Sequence, residues 1–271
     1  MNNKNDRKDK QIETVKKFFN QISNTYCKDR YNQDSCYNLA YLTRRKIVYD
    51  MLAELSGAVL DIGCGPGIFA TDLVGLGFRV YGIDLSEEMI RRARDTAREN
   101  NITDQCLFKQ GEITNIEFPD EKVDIVLCIG VINYVPYFCD GLKEVLRVLK
   151  PGGILIIQSS NKWSPVNMSY KYITPVIRFF RSRLEGRQYQ YDDFVLYPFS
   201  PGTLSYELYN IGFEKMDVRY YDFRIPYVDV LFEEFSIKIA KRFQNLLSSS
   251  LLGWLGEGFV IKVQKPEKRK K

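Results

Sequence analysis

Hydrophobic positions recur along this chain with two different periods, and the places where the period changes mark its elements. Between residues 11 and 26, Ile12, Val15, Phe18, Phe19 and Ile22 fall at helical spacing and give one apolar face. Residues 42–55 repeat that spacing, and Gly57 ends the run. Short apolar runs then alternate with amphipathic stretches. Strands are expected at 58–62, 78–83, 106–110, 123–129 and 154–159. Helices are expected at 67–76, closed by Gly77, at 86–100, and at 140–149, stopped by Pro151-Gly152-Gly153. Ser86 is suited to cap its helix, with Glu87 and Glu88 early and Arg91, Arg92, Arg94 and Arg98 later, as the helix dipole favours.

The pattern fails between residues 161 and 200, which are rich in Tyr, Phe and Arg and punctuated by Pro165, Pro175 and Pro198. That stretch is too long for an ordinary connection and reads as a lid. Regularity returns with a helix at 201–211 stopped by Gly212, a strand at 213–223, a helix near 230–247 and a strand at 258–263. Alternation of strand and helix predicts an α/β fold: a doubly wound, seven-stranded, mostly parallel sheet with N-terminal helices and an inserted lid. The expected divisions are a tail and helical cap at 1–56, a core at 57–160, the lid at 161–199, completion of the core at 200–264 and a basic tail at 265–271.

Composition narrows the chemistry. The chain has no histidine, which removes imidazole bases, His–Asp dyads and His metal ligands, so a proton acceptor must be a carboxylate, Tyr, Lys, Cys or water. The six cysteines form no CxxC pair and no metal-ligand spacing, so no metal is expected and a reduced, cytoplasmic setting is the plain reading. The polar first ten residues lack the apolar core of a signal peptide, and no apolar run reaches the ~18 residues of a membrane span. A net charge of +5, partly held in the tails, is too weak to suggest nucleic acid as partner.

The most informative stretch is Val59-Leu60-Asp61-Ile62-Gly63-Cys64-Gly65-Pro66-Gly67, a buried strand running through an acid into a three-glycine turn. Glycines let a nucleotide approach bare backbone, and the following helix offers N–H groups that suit phosphate. Gly65-Pro66-Gly67-Ile68-Phe69-Ala70 even fits the dinucleotide fingerprint, with Asp84 at the distance of a ribose acid. A carboxylate at Asp61, however, spoils the turn for a pyrophosphate and suits a cation. S-adenosyl-L-methionine carries an ammonium and a sulfonium and no phosphate, so the turn argues for that cofactor and for methyl transfer.

Three motifs together resemble the class I S-adenosylmethionine-dependent methyltransferases: Leu60–Gly67, then Asp84-Leu85-Ser86 after the second strand, then Leu149-Lys150-Pro151-Gly152-Gly153 before the fifth. The resemblance covers residues 57–160 closely and 200–264 by pattern. It implies that Gly63, Cys64, Gly65 and Gly67 lie along the methionine part, with Asp61 near its ammonium. It implies that Asp84 accepts both ribose hydroxyls, and that Leu85 and Ile113 sandwich the adenine. Glu112 would meet the adenine amino group, where the family usually has an Asp, and Cys128 would end the fourth strand beneath the methyl group. Cys64 and Cys128 as residues read as small apolar fillers rather than nucleophiles.

Many small-molecule members of that family carry a Glu-His pair where this chain has Asn133-Tyr134. Asn133-Tyr134-Val135-Pro136-Tyr137 also resembles the Asn-Pro-Pro-Tyr motif of nucleic-acid amine methylases, but has one proline and sits too far past the fourth strand. Without a histidine, placement and desolvation are expected to carry the transfer, with Tyr26, Tyr31 or Tyr134 the candidates if a base is used. The lid aromatics Tyr170, Tyr172, Phe179, Phe180, Tyr189, Tyr191, Phe194, Tyr197 and Phe199, interleaved with Arg178, Arg181, Arg183 and Arg187, suit a small lipophilic or aromatic acceptor. Residues 173–184 and 228–254 also carry the aromatic and basic faces of a peripheral membrane contact. The rival functional reading is a non-catalytic S-adenosylmethionine-binding partner subunit, which calorimetry and a labelled-methyl assay would separate from an enzyme.

Overall fold

The computed structural model describes residues 2–31, 36–173, 195–225, 227–228 and 232–268. Helices α1 (Asn2–Ile22), α2 (Tyr26–Tyr31) and α3 (Cys36–Leu52) lead into strand β1 (Ala58–Ile62). There follow α4 (Ala70–Gly75), β2 (Arg79–Asp84), α5 (Glu87–Glu99), β3 (Cys106–Gln110) and β4 (Val123–Cys128). The second half runs α6 (Phe138–Val148), β5 (Leu149–Ser160), α7 (Pro165–Tyr172), α8 (Pro201–Ile211), β6 (Glu214–Tyr221), α9 (Glu233–Leu247) and β7 (Gly258–Gln264).

The strands form one sheet in the order β3-β2-β1-β4-β5-β7-β6, parallel throughout except that β7 runs against both its neighbours. This is the doubly wound, mostly parallel arrangement that the alternation predicts. Period-two burial explains it. Along β1, Val59 faces a core cluster with Val48 and Met51 of α3, Leu73 of α4 and Ala93 of α5. Leu60 and Ile62 face the opposite cluster with Leu142 and Val145 of α6 and Leu204 of α8. The central strands β1 and β4 are thus buried on both faces, as parallel sheets require, whereas the edge strands β3 and β6 are largely exposed. The chain reverses its direction of travel across the sheet between β1 and β4, and the carboxyl ends of those two strands open a crevice.

Several boundaries differ from the sequence expectation. Residues 26–41 read as irregular, yet α2 lies there and α3 begins at Cys36 rather than 42. Tyr and Arg repeat through that stretch, and their hydropathy hides the helical period; stacking of Arg30 on Tyr26 and Tyr41, and of Arg44 on Tyr41, supplies what an apolar stripe would. The helix expected from residue 67 starts at Ala70, since the turn consumes the intervening residues. The Pro151-Gly152-Gly153 segment lies within β5, where Lys150 pairs with Asp124, whose carboxylate also accepts the Ala58 N–H at 2.9 Å. That motif therefore pins the start of β1 to β4, at the sheet end away from the crevice.

The lid region begins as a helix, with Ser164 capping α7 through the Asn167 N–H. Phe199 packs into the core with its ring 4.6 Å from that of Phe138, and Tyr197 packs against the same cluster. Tyr172 is exposed. Phe179, Phe180, Tyr189, Tyr191, Phe194, Arg178, Arg181, Arg183 and Arg187 lie outside the described residues. Among the described residues no helix is long and apolar enough to cross a membrane.

Candidate active site

The glycine turn after β1 is held by a short chain of hydrogen bonds. The Gly63 and Cys64 N–H groups both donate to the Ile83 carbonyl, at 2.7 and 3.0 Å. The Gly65 N–H donates to Asp84 Oδ2 at 2.9 Å, and the Ser86 N–H donates to Asp84 Oδ1 at 2.8 Å. Asp84 therefore ties the turn to the cap of α5 before any ligand is considered. Gly63 has φ +67°, and a Cβ there would stand 2.1 Å from the Val131 side chain. Gly65 has φ +53°, and its Cβ would meet nothing nearer than Tyr26 at 4.0 Å. The first glycine is thus required by packing. The second is required by its left-handed backbone and leaves open space in front of it.

An open cleft of about 880 Å³ lies over this turn. Gly63, Gly65, Asp84, Leu85, Glu112, Ile113 and Tyr134 of the expected site line it, together with Ile12, Val15 and Phe19 of α1. Glu112 accepts a hydrogen bond from the Thr114 hydroxyl, which fixes its direction across the cleft floor. Cys64 and Cys128 turn their side chains into the core instead, and burial pushes the Cys128 thiol up to about 12. Neither is a nucleophile at neutral pH. A Cβ on Gly67 would stand 3.4 Å from Ala93 of α5, so a glycine here lets turn and helix approach closely.

Asp61 is only 3% exposed and lies beneath the turn rather than on the cleft lining. It has no hydrogen-bond partner among the described residues. Burial, with the nearby Asp84 adding to it, raises its carboxyl to about 8. Burial likewise raises Asp84 to about 6, against its two backbone donors. Two neighbouring carboxyls, neither paired with a cation among the described residues, leave a local deficit of positive charge. An ammonium group arriving over the turn would relieve it, and a pyrophosphate would worsen it. The residues present therefore fit S-adenosylmethionine.

A second chamber of about 1110 Å³ adjoins the first. Phe19, Tyr26, Gly130 and Tyr134 line both and stand between them. The rings of Phe19 and Tyr134 meet edge-on at 5.3 Å. The far wall is polar: Arg30, Tyr41 and Arg44 from α2 and α3, Gln158 from β5, and Tyr221, Asp222, Arg224 and Glu257 from the C-terminal half. Arg224 is nearly buried and paired to both Asp222 and Glu257. Sequence reasoning missed this wall because its members are dispersed over more than two hundred residues and share no motif.

Tyr31 is not part of either lining; its hydroxyl faces Arg44 Nη2 at 3.5 Å. Burial raises the Tyr26 phenol far above its ordinary value, which makes it a poor base. Asn133 is a strut: its amide donates to Ser159 Oγ and the Tyr197 carbonyl, and it accepts the Ser160 N–H. Gln11 of α1 reaches over the cleft, donating to the Val195 carbonyl at 2.8 Å and accepting the Val195 N–H at 3.0 Å. The first helix is thereby closed down on the site.

Residues 55–183 match a family model described as a methyltransferase domain. A demethylmenaquinone methyltransferase of Staphylococcus haemolyticus is 31% identical over 182 residues, covering 64% of this chain and 72% of that protein. Among solved structures, an S-adenosylmethionine-dependent methyltransferase of Thermotoga maritima superposes with a TM-score of 0.61 at 23% identity, covering 91% of this chain and 98% of that one. The magnesium protoporphyrin IX methyltransferase of Synechocystis PCC 6803, solved with bound S-adenosylhomocysteine, superposes with a TM-score of 0.62 at 16% identity, covering 94% and 99%. Sequence kinship and fold agree with the charge argument at Asp61, and the chain belongs to the class I S-adenosylmethionine-dependent methyltransferases.

Proposed function

We propose that the chain methylates a small aromatic acceptor, held in the second chamber and presented through the Phe19–Tyr26–Gly130–Tyr134 passage. The observation that carries this reading is that the two chambers adjoin and share Phe19, Tyr26, Gly130 and Tyr134 in their linings. In that reading the cofactor rests over Gly63 and Gly65, with Asp61 facing the ammonium, Asp84 the ribose, Leu85 and Ile113 the adenine, and Glu112 its amino group. The cofactor supplies an activated methyl group on a sulfonium. Asp84 holds the turn and orients the ribose, and α1, latched by Gln11, excludes water from above. The aromatic passage aligns the acceptor for in-line displacement, a placement effect that contributes up to ~7–11 kcal/mol in favourable cases.

No imidazole exists in the chain to take a proton. Tyr26 and Tyr221 are both held protonated by burial. The acceptor's proton therefore leaves to water, and the enzyme acts by position and desolvation. The name of the Staphylococcus relative adds weight to a quinol-type ring as acceptor. The test is a labelled-methyl transfer screen over hydroquinones, phenols, aromatic amines and aliphatic amines. Turnover confined to aromatic acceptors supports the reading. Turnover confined to aliphatic amines refutes it.

A further inference from the structure

Arg44 is a buried guanidinium in the wall of the second chamber that pairs with no carboxylate among the described residues. It is 8% exposed and comes from the middle of α3. Its Nη1 reaches Gln158 Oε1 at 3.4 Å and its Nη2 reaches the Tyr31 hydroxyl at 3.5 Å, both at the long limit of a hydrogen bond. Its Nε has no acceptor among the described residues. No carboxylate pairs with it among the described residues; the nearest support is the face of Tyr41, 4.6 Å from Cζ. A buried guanidinium normally carries a carboxylate, because leaving it unpaired is costly. Arg224, in the same wall, shows the ordinary solution with two carboxylates.

Position makes the orphan informative. A Cβ on Gly130 would lie 3.5 Å from Arg44 Nη1. Gly130 lines both chambers, so in the proposed arrangement the guanidinium stands beside the boundary between acceptor and cofactor. The lining of this chamber holds three guanidinium groups, of Arg30, Arg44 and Arg224, against two carboxylates, of Asp222 and Glu257, and Arg224 already engages both carboxylates.

We propose that Arg44, through its guanidinium, binds an oxyanion of the methyl acceptor. This deepens the aromatic-acceptor reading and rests on it. The oxyanion is either a ring phenolate or a ring carboxylate. A phenolate held here is also the activated nucleophile: the phenol loses its proton to water, its electron pair attacks the methyl carbon, the carbon–sulfur bond breaks, and that pair stays on sulfur. Arg44 would then do by charge what a histidine base does elsewhere. A carboxylate held here is an anchor that orients the ring.

The experiment uses the full-length protein saturated with S-adenosylhomocysteine and two probe pairs. For the phenolate, 4-nitrophenol is titrated optically with and without protein. The expected result is a fall of at least one unit in the probe's pKa on binding, absent in Arg44→Met and partly retained in Arg44→Lys. For the carboxylate, benzoate and neutral benzamide are compared by calorimetry. The expected result is benzoate at least tenfold tighter, with the preference lost in Arg44→Met. Either signature alone supports the proposal and identifies the source of the oxyanion. If neither appears in the wild-type protein, or either persists unchanged in Arg44→Met, the proposal is overturned. Affinity for S-adenosylhomocysteine serves as the folding control, and if Arg44→Met loses it, the wild-type preference and Arg44→Lys decide. Failure of the wild-type protein to bind S-adenosylhomocysteine would count against the cofactor assignment and not against Arg44.

Discussion

The cofactor cleft takes most of its floor from the carboxyl ends of consecutive strands, whereas the adjoining chamber takes its polar wall from α2, α3, β5 and residues 221–257. Their charges are arranged differently too. The cofactor site keeps two carboxyls near each other, neither paired with a cation among the described residues, and both are raised by burial. The chamber keeps an arginine with no carboxylate beside another that has two. Each region is thus short of one charge, of opposite sign. A cationic cofactor completes the first and an anionic acceptor completes the second. Within the second, Arg224 teaches the contrast: its charge is spent on structure, and that of Arg44 is left for a ligand.

The largest expected effect breaks the structural side of this comparison. Arg224→Met leaves Asp222 and Glu257 without their cation and should cost about 3–5 kcal/mol of stability by urea unfolding. Next is Asp84→Ala, which removes the clasp on the Gly65 and Ser86 N–H groups together with the proposed ribose acceptor. Calorimetry should show S-adenosylhomocysteine weakened by about 3 kcal/mol, roughly a hundredfold or more. Unchanged affinity would remove Asp84 from the site.

Asp61→Asn should act in opposite directions on binding and on folding. Cofactor affinity should fall by about 1.5–3 kcal/mol with the loss of a charge-assisted contact. The ligand-free protein should gain about 1–2 kcal/mol, because a buried carboxylate no longer needs to be held. The pH dependence follows from the raised carboxyl. The stability that Asp61 contributes as an acid is complete below about pH 4, its unfolded value, and is lost as pH rises towards about 8, its folded value. Thermal melts of the ligand-free wild type should therefore decline across that window more steeply than those of Asp61→Asn. A parallel decline would contradict the assignment. The smallest effect is expected for Tyr134→Phe, which keeps the ring against Phe19 and should change turnover less than about threefold if no tyrosine base is used. A drop of a hundredfold or more would instead make Tyr134 the base.

Most of the fold was legible because the βα alternation is a period change that hydropathy records directly, and the central strands β1, β4, β5 and β7 coincide with apolar runs. The cleft was legible for the same reason: Asp61, Gly63, Gly65 and Asp84 sit at strand ends, where few residues fit. Helix α2 and the start of α3 were not, since Arg–Tyr stacking replaces an apolar stripe and leaves no period to read. Arg44 was invisible as a functional residue because its isolation is a property of what surrounds it in space. The Asp84 carboxylate was read as a ribose ligand alone, and its hold on two backbone N–H groups depends on a turn geometry that spacing does not reveal.

The pairing of a raised carboxyl with a cationic cofactor is most directly tested by proton release. S-adenosylhomocysteine, which keeps the ammonium, is titrated into the protein at pH 6.5 in two buffers of different ionisation enthalpy. Asp61 is mostly protonated there and must ionise to meet the ammonium, so binding should release more than about half a proton per site, and Asp61→Asn should lower that release by at least half. Binding without proton release, or release that is the same in both proteins, would contradict the account.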